Sequence, residues 1–150
     1  MSYQEKSIVV SLVSYLMILG YFLVRVLGMW NDGGLVANQL FALWGVVIVA
    51  TILVNILGNI FASIVSAIIY AIRTGSDKTE RYVEDERDKL IGLKGSKITY
   101  ITFSVGVFIA MLAFILGQPG LVMFALIVFF SSLAEIVGSI AQLVLYRKGL

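Results

Sequence analysis

The chain has 150 residues, of which 60% are hydrophobic and only 13% are charged, and its net charge is +2. Soluble domains are about 45–50% apolar and about 25% charged, so this composition predicts an integral membrane protein. The chain contains no cysteine and no histidine, which excludes disulfides and metal or haem ligation by those residues, as well as Cys or His catalysis. The small net charge gives no indication of direct nucleic-acid binding.

Four apolar runs are long enough to cross a bilayer, which takes about 20 residues in a helix. The first run is not expected to be a signal peptide, because it is as long as a full span and no small-residue cleavage site follows. The sequence therefore predicts an all-α membrane protein with one domain, residues 1–150, whose four transmembrane helices form two tandem helical hairpins. The predicted spans are about 8–27, 40–72, 98–116 and 121–146, and residues 73–97 form a charged loop.

The second run is longer than a bilayer requires. As a helix, residues 40–73 would extend about 50 Å, whereas the hydrocarbon core is about 30 Å thick. This helix is therefore expected to tilt, to kink at Gly58 or to extend past the membrane.

Basic residues fall almost entirely on one side of the predicted topology. Ten lie at the termini or in the middle loop, and only Arg25 lies near the opposite side. The positive-inside rule then predicts that both termini and the loop are cytoplasmic. The ten are Lys6, Arg73, Lys78, Arg81, Arg87, Lys89, Lys94, Lys97, Arg147 and Lys148.

The second and fourth runs resemble each other when shifted by eighty positions. "LVNILGNIFA" aligns with "LAEIVGSIAQ", which places Asn55 against Glu135 and Gly58 against Gly138. Both hairpins enter the membrane from the same side, so a true repeat would be parallel, with a two-fold axis along the membrane normal. Chance similarity between two apolar helices is the alternative.

Polar residues follow one face of each of these two helices, mostly at spacings of three or four residues. Lipid cannot hydrogen-bond polar groups, so the two faces should turn inward, and we expect the Asn55 amide to bond to Glu135. Two interpretations stay open: polar packing that fixes the helix register, and a polar cavity or proton path centred on Glu135. The candidate intramembrane site consists of Glu135, Asn55, Asn59, Ser131 and Ser139.

The middle loop carries "EDERDKLIGLKGSKITY", Glu84 to Tyr100. Two interpretations of the loop stay open. One is a solvated, salt-bridged linker, which is usual for such a charge run; the other is a helix resting at the membrane interface, bounded by Gly75 and by the pair Gly92 and Gly95. The segment and the layout resemble a family of uncharacterised small bacterial four-helix integral membrane proteins with a "DERD…KG…Y" cytoplasmic loop. The resemblance implies a multi-pass protein of the bacterial inner membrane that is a partner for a cytoplasmic regulator protein, and it implies no catalytic residue. The residues expected to bind that partner are Asp85, Glu86, Arg87, Asp88 and Lys94.

These observations favour a non-enzymatic membrane partner or regulator that acts through its charged loop, without a cofactor or metal. The alternative is a small proton-coupled transporter that uses Glu135. A membrane enzyme is the least favoured class, because neither His nor Cys is available and the acidic residues are interleaved with basic ones. A homodimer is also possible, since Gly106 with Ala110, and Ala113 with Gly117, form small-xxx-small steps on the third helix.

Overall fold

The structure is a computed structural model that describes residues 3–74 and 86–148, without the side chains of residues 3, 4, 58, 59, 61–63, 65–67 and 69–74. Within these ranges the chain forms four helices, α1 (Tyr3–Asn31), α2 (Ala37–Thr74), α3 (Glu86–Ile115) and α4 (Gly120–Arg147). Each helix contains a stretch long and apolar enough to cross a membrane. The predicted all-α, four-helix membrane fold is confirmed. The predicted sites at Asp85 and at the side chain of Asn59 lie outside the described residues.

Helix α2 is a single continuous helix of 38 residues, about 57 Å long at 1.5 Å per residue. The helix continues through Gly58 without a break. Its length exceeds the hydrocarbon core of about 30 Å, as the sequence predicted.

Helix α3 begins earlier than predicted. It starts at Glu86, so residues 86–97 of the predicted loop continue directly into the span, and Gly92 and Gly95 lie inside the helix instead of bounding a separate one. Glu86 and Asp88 in its first turn favour this start, because negative charge stabilises a helix N-terminus. Gly95 is buried against Gln142 of α4, so packing on α4 compensates for the low helix propensity of glycine.

Helix α4 lies at the centre of the bundle. It packs along α3 on one side and along α1 on the other, and α1 in turn packs against α2. Within the described ranges, α2 touches α4 only over a short length and has no extended contact with α3. A two-fold repeat of the hairpins would require α2 and α3 to pack as α1 and α4 do, so the packing gives no support to the predicted repeat.

The short connections at one end of the bundle are closed by glycines. Gly33 (φ +115°) and Gly117 (φ +92°) take left-handed conformations, which glycine adopts without steric cost. Beyond them the Gly34 amide donates to the Met29 carbonyl at 3.1 Å, and the Gln118 amide donates to the Ala113 carbonyl at 3.1 Å. We call this end the turn end. The opposite end, where α1 and α3 begin and α2 and α4 finish, is the charged end.

Small residues let α3 and α4 approach closely. A side chain at Gly138 would meet Thr99, and one at Gly106 would meet Phe130. Ala110, four residues after Gly106, is fully buried. This small-xxx-small step therefore serves packing inside the bundle, and the proposed homodimer finds no support in it.

Candidate functional site

A groove of about 230 Å³ opens between α2 and α4, with α1 beneath it. Near the turn end the two helices are joined by aromatic contacts, since the ring of Phe124 lies 5.0 Å from that of Phe41 and 5.8 Å from that of Trp44. Beyond these rings small polar side chains face the space between the helices. The polar lining residues are Tyr15, Thr51, Ser131, Ser132 and Glu135, and the apolar ones are Trp44, Val47, Ile48, Ile52 and Val128.

Of the residues that the structure describes, Glu135 supplies the only carboxyl group in the lining of this groove. It is the sixteenth residue of the 28 in α4, which places it about 22 Å along the helix from the turn end, near the middle of the helix. Its side chain is exposed at the groove and, among the described residues, has no hydrogen-bond or ion-pair partner. An acidic group at this depth is costly unless it faces a cavity or a partner.

Asn55 bonds to a residue that the sequence analysis did not consider. Its side-chain amide donates to the Tyr15 hydroxyl at 3.0 Å and to the Thr51 carbonyl, one turn earlier in α2, at 2.9 Å. The expected bond from Asn55 to Glu135 is therefore wrong. The reason is the packing of α1, which places the buried Tyr15 within reach of Asn55. The Tyr15 hydroxyl, fixed by Asn55, then lines the floor of the groove.

The predicted serines divide between two environments. Ser131 lines the groove, and its hydroxyl donates to the Val128 carbonyl of its own helix at 2.8 Å. Ser139, one turn beyond Glu135 toward the charged end, is buried and is not part of the groove lining. Ser132, which the sequence analysis omitted, is both buried and in the lining. The structure thus places Glu135 and Ser131 in the groove lining and Ser139 outside it.

A second groove contrasts with the first because its lining is apolar. It has a volume of about 270 Å³, lies between α1 and α4 near the turn end, and presents no polar surface. Phe22, Val26 and Phe129 are among its lining residues. Such a surface needs only lipid chains to cover it, whereas hydroxyl and carboxyl groups in the first groove need hydrogen-bond partners that lipid chains lack.

At the charged end, part of the "DERD" segment bonds to α4. The Tyr146 hydroxyl donates to Asp88 Oδ1 at 2.8 Å, and an Arg87 guanidinium nitrogen lies 3.4 Å from the Tyr146 carbonyl oxygen, which accepts its hydrogen bond. Arg87 and Asp88 therefore join the start of α3 to the end of α4. Glu86 and Lys94 are exposed.

Tyr15 is the residue that sequence reasoning missed. Tyr3, Tyr70, Tyr100 and Tyr146 lie at or near the ends of the predicted spans, where interfacial tyrosines are common, while Tyr15 lies well inside its predicted span. A phenol hydroxyl at that depth requires a hydrogen-bond partner within the protein. That requirement is the signal that pairs Tyr15 with a polar residue of a neighbouring helix.

Within the described ranges, no three carboxylates lie close enough together to hold a metal ion. Comparisons of the chain with protein-family models, with curated proteins and with solved structures find no match. The class of protein defined by the fold is a multi-pass membrane protein.

Proposed function

We propose that this protein is a small proton-coupled transporter that takes a positively charged small molecule into the groove beside Glu135. The observation that carries the proposal is the groove itself: a partly open, mixed polar and apolar space around one carboxyl group near the middle of α4. Of the two interpretations that the sequence left open, a polar cavity agrees with this geometry better than a bond between Asn55 and Glu135 does.

The chemistry of the groove favours exchange of a proton for a cation. A carboxyl group in a medium of low dielectric constant is most stable when it is either protonated or paired with a cation. Binding of a cationic substrate and binding of a proton to Glu135 therefore compete, and this competition couples the two movements. The rings of Tyr15 and Trp44 line the same space and offer aromatic surface to a cation.

The proposal is tested in liposomes that contain the purified protein and carry a pH gradient, with ethidium as the organic cation and pyranine as the reporter of internal pH. Glu135→Gln should abolish both gradient-driven ethidium movement and the matching proton flux. Glu86→Gln, which neutralises an exposed carboxyl group at the charged end, is the matched control and should retain both. Equal flux in the wild type and Glu135→Gln contradicts the proposal, as does a wild type that moves neither ion.

A second candidate function is the partner or regulator role, with both termini and the charged end in the cytoplasm of a bacterial cell. Its support is the exposure of Glu86 and Lys94 at the charged end. Arg87 and Asp88 support it less, because they already bind Tyr146. Photo-crosslinking from position 86 in cells should capture one defined cytoplasmic protein, and the crosslink should disappear when Lys94 is changed to Glu; crosslinking to lipid alone contradicts this role.

A further inference from the structure

One exposed face of α3 combines basic and apolar side chains at the charged end. At 100° per residue, Leu90, Leu93, Lys94, Lys97 and Tyr100 fall within an arc of about 120°, on the side opposite to the residues buried against α4. Leu90 is 57% exposed, Leu93 68% and Tyr100 71%. We call this set the α3 outer face. Its basic residues have no ion-pair partner among the described residues.

The position of this face along α3 matches one boundary of a bilayer. Ile115, at the turn end of α3, is 79% exposed, and Lys97 and Lys94 precede it by 18 and 21 residues, or about 27 and 31 Å. The hydrocarbon core is about 30 Å thick. When Ile115 lies at one edge of the core, both ammonium groups therefore lie at the level of the phosphates on the other edge.

The apolar residues on the α3 outer face identify what covers it. Leu90 and Leu93 lie beyond the lysines, farther from the bilayer centre, yet they are among the most exposed leucines of the helix. Exposed leucines next to lysines and a tyrosine are typical of a helix segment lying among lipid headgroups. The exposed acid Glu86 lies eight residues from Lys94, about 12 Å away along the axis, too far to neutralise it.

We infer that the α3 outer face binds the phosphate group of an anionic phospholipid. Lys94 and Lys97 pair with the headgroup, the Tyr100 hydroxyl is in reach of its ester and phosphate oxygens, and the acyl chains run along Ile101 and the exposed apolar residues after it. The inference is independent of the transport proposal, because none of these residues lines the groove.

The test is native mass spectrometry of the purified full-length protein in detergent with equal amounts of phosphatidylglycerol and phosphatidylcholine. The wild type should retain phosphatidylglycerol preferentially, and the double variant Lys94→Gln, Lys97→Gln should reduce that preference about tenfold, since each basic residue near a headgroup contributes on the order of a few-fold in affinity. The matched control is Lys89→Gln with Lys148→Gln, which removes the same charge from the charged end and should keep the preference.

If both double variants lose the preference for phosphatidylglycerol equally, the inference is wrong, because the lipid then responds to the total positive charge of the charged end and not to Lys94 and Lys97 in particular. A wild type without preference for the anionic lipid overturns it as well. Inorganic phosphate that displaces the lipid, when chloride at the same ionic strength does not, reassigns the site to free phosphate and also contradicts the inference. Lys94→Arg with Lys97→Arg should keep the preference, and circular dichroism of every variant checks that the helices remain folded.

Discussion

Replacing Gly138 with alanine tests the close approach of α3 and α4. The new Cβ would collide with Thr99 Oγ1 and lie 3.3 Å from both the Gly95 carbonyl oxygen and Thr99 Cβ. Thr99 cannot turn away freely, because its hydroxyl donates to the Gly95 carbonyl at 3.3 Å and its β-branched side chain has few rotamers in a helix. The collision is therefore relieved only by breaking this bond or by moving α3 away from α4.

The expected loss of stability follows from three contributions. Overpacking a helix contact costs about 1–3 kcal/mol, and loss of a side-chain hydrogen bond in a membrane helix costs about 0.6 kcal/mol more. The higher helix propensity of alanine offsets up to about 1 kcal/mol. When alanine offsets the full 1 kcal/mol, the net destabilisation is about 0.6–2.6 kcal/mol, a factor of about 3–80 in the unfolding equilibrium.

The assay is unfolding by sodium dodecyl sulfate in mixed micelles, followed by circular dichroism. Gly92→Ala and Gly45→Ala are the matched controls, because a Cβ at either position meets no atom within 4 Å; both should be as stable as the wild type or more so. Adding Thr99→Ala to Gly138→Ala should restore part of the lost stability. If Gly138→Ala unfolds at the same detergent fraction as Gly92→Ala, the proposed close approach is wrong.

Two further bonds between helices give testable expectations. Asn55→Leu and Tyr15→Phe should each destabilise the fold in the same unfolding assay. Because both variants remove the same bond, between the Asn55 amide and the Tyr15 hydroxyl, the double variant should lose about 0.6 kcal/mol less than the sum of the single variants. Strictly additive losses would show that the bond contributes nothing to stability. Tyr146→Phe should speed hydrogen exchange of the amides of residues 88–93 without changing residues 103–110, since the Tyr146–Asp88 bond holds only the start of α3; unchanged exchange throughout would contradict that role.

The membrane-spanning helices were predictable because the bilayer allows few alternatives. A polypeptide in hydrocarbon must satisfy its own backbone hydrogen bonds, so each long apolar run has to become a helix. Helix ends outside the hydrocarbon lack this constraint. The start of α3 at Glu86 was missed for that reason: its polar first turns show no apolar run, and Gly92 and Gly95 suggested a boundary, although Gly95 is needed where Gln142 of α4 packs on the helix.

The sequence predicted the level of the candidate site along the helices, but not which side chains contact each other there. The offset of eighty residues also aligns Thr51 with Ser131, and both line the groove. Which groups meet at that level depends on how the helices rotate and cross, and a pattern of polar residues on α2 and α4 contains no information about α1. Tyr15 therefore took the place of Glu135 as the acceptor for Asn55.

The length of α2 has a consequence for the groove. Because α2 touches α4 only over a short length, which includes the ring contacts of Phe41 and Trp44 with Phe124, the separation of the two helices farther along depends on the angle between them. A helix of about 57 Å adapts to thinner or thicker lipid mainly by changing its inclination. The groove around Glu135 should thus widen or narrow with the acyl-chain length of the surrounding lipids. Its width therefore depends on the thickness of the membrane as well as on the protein.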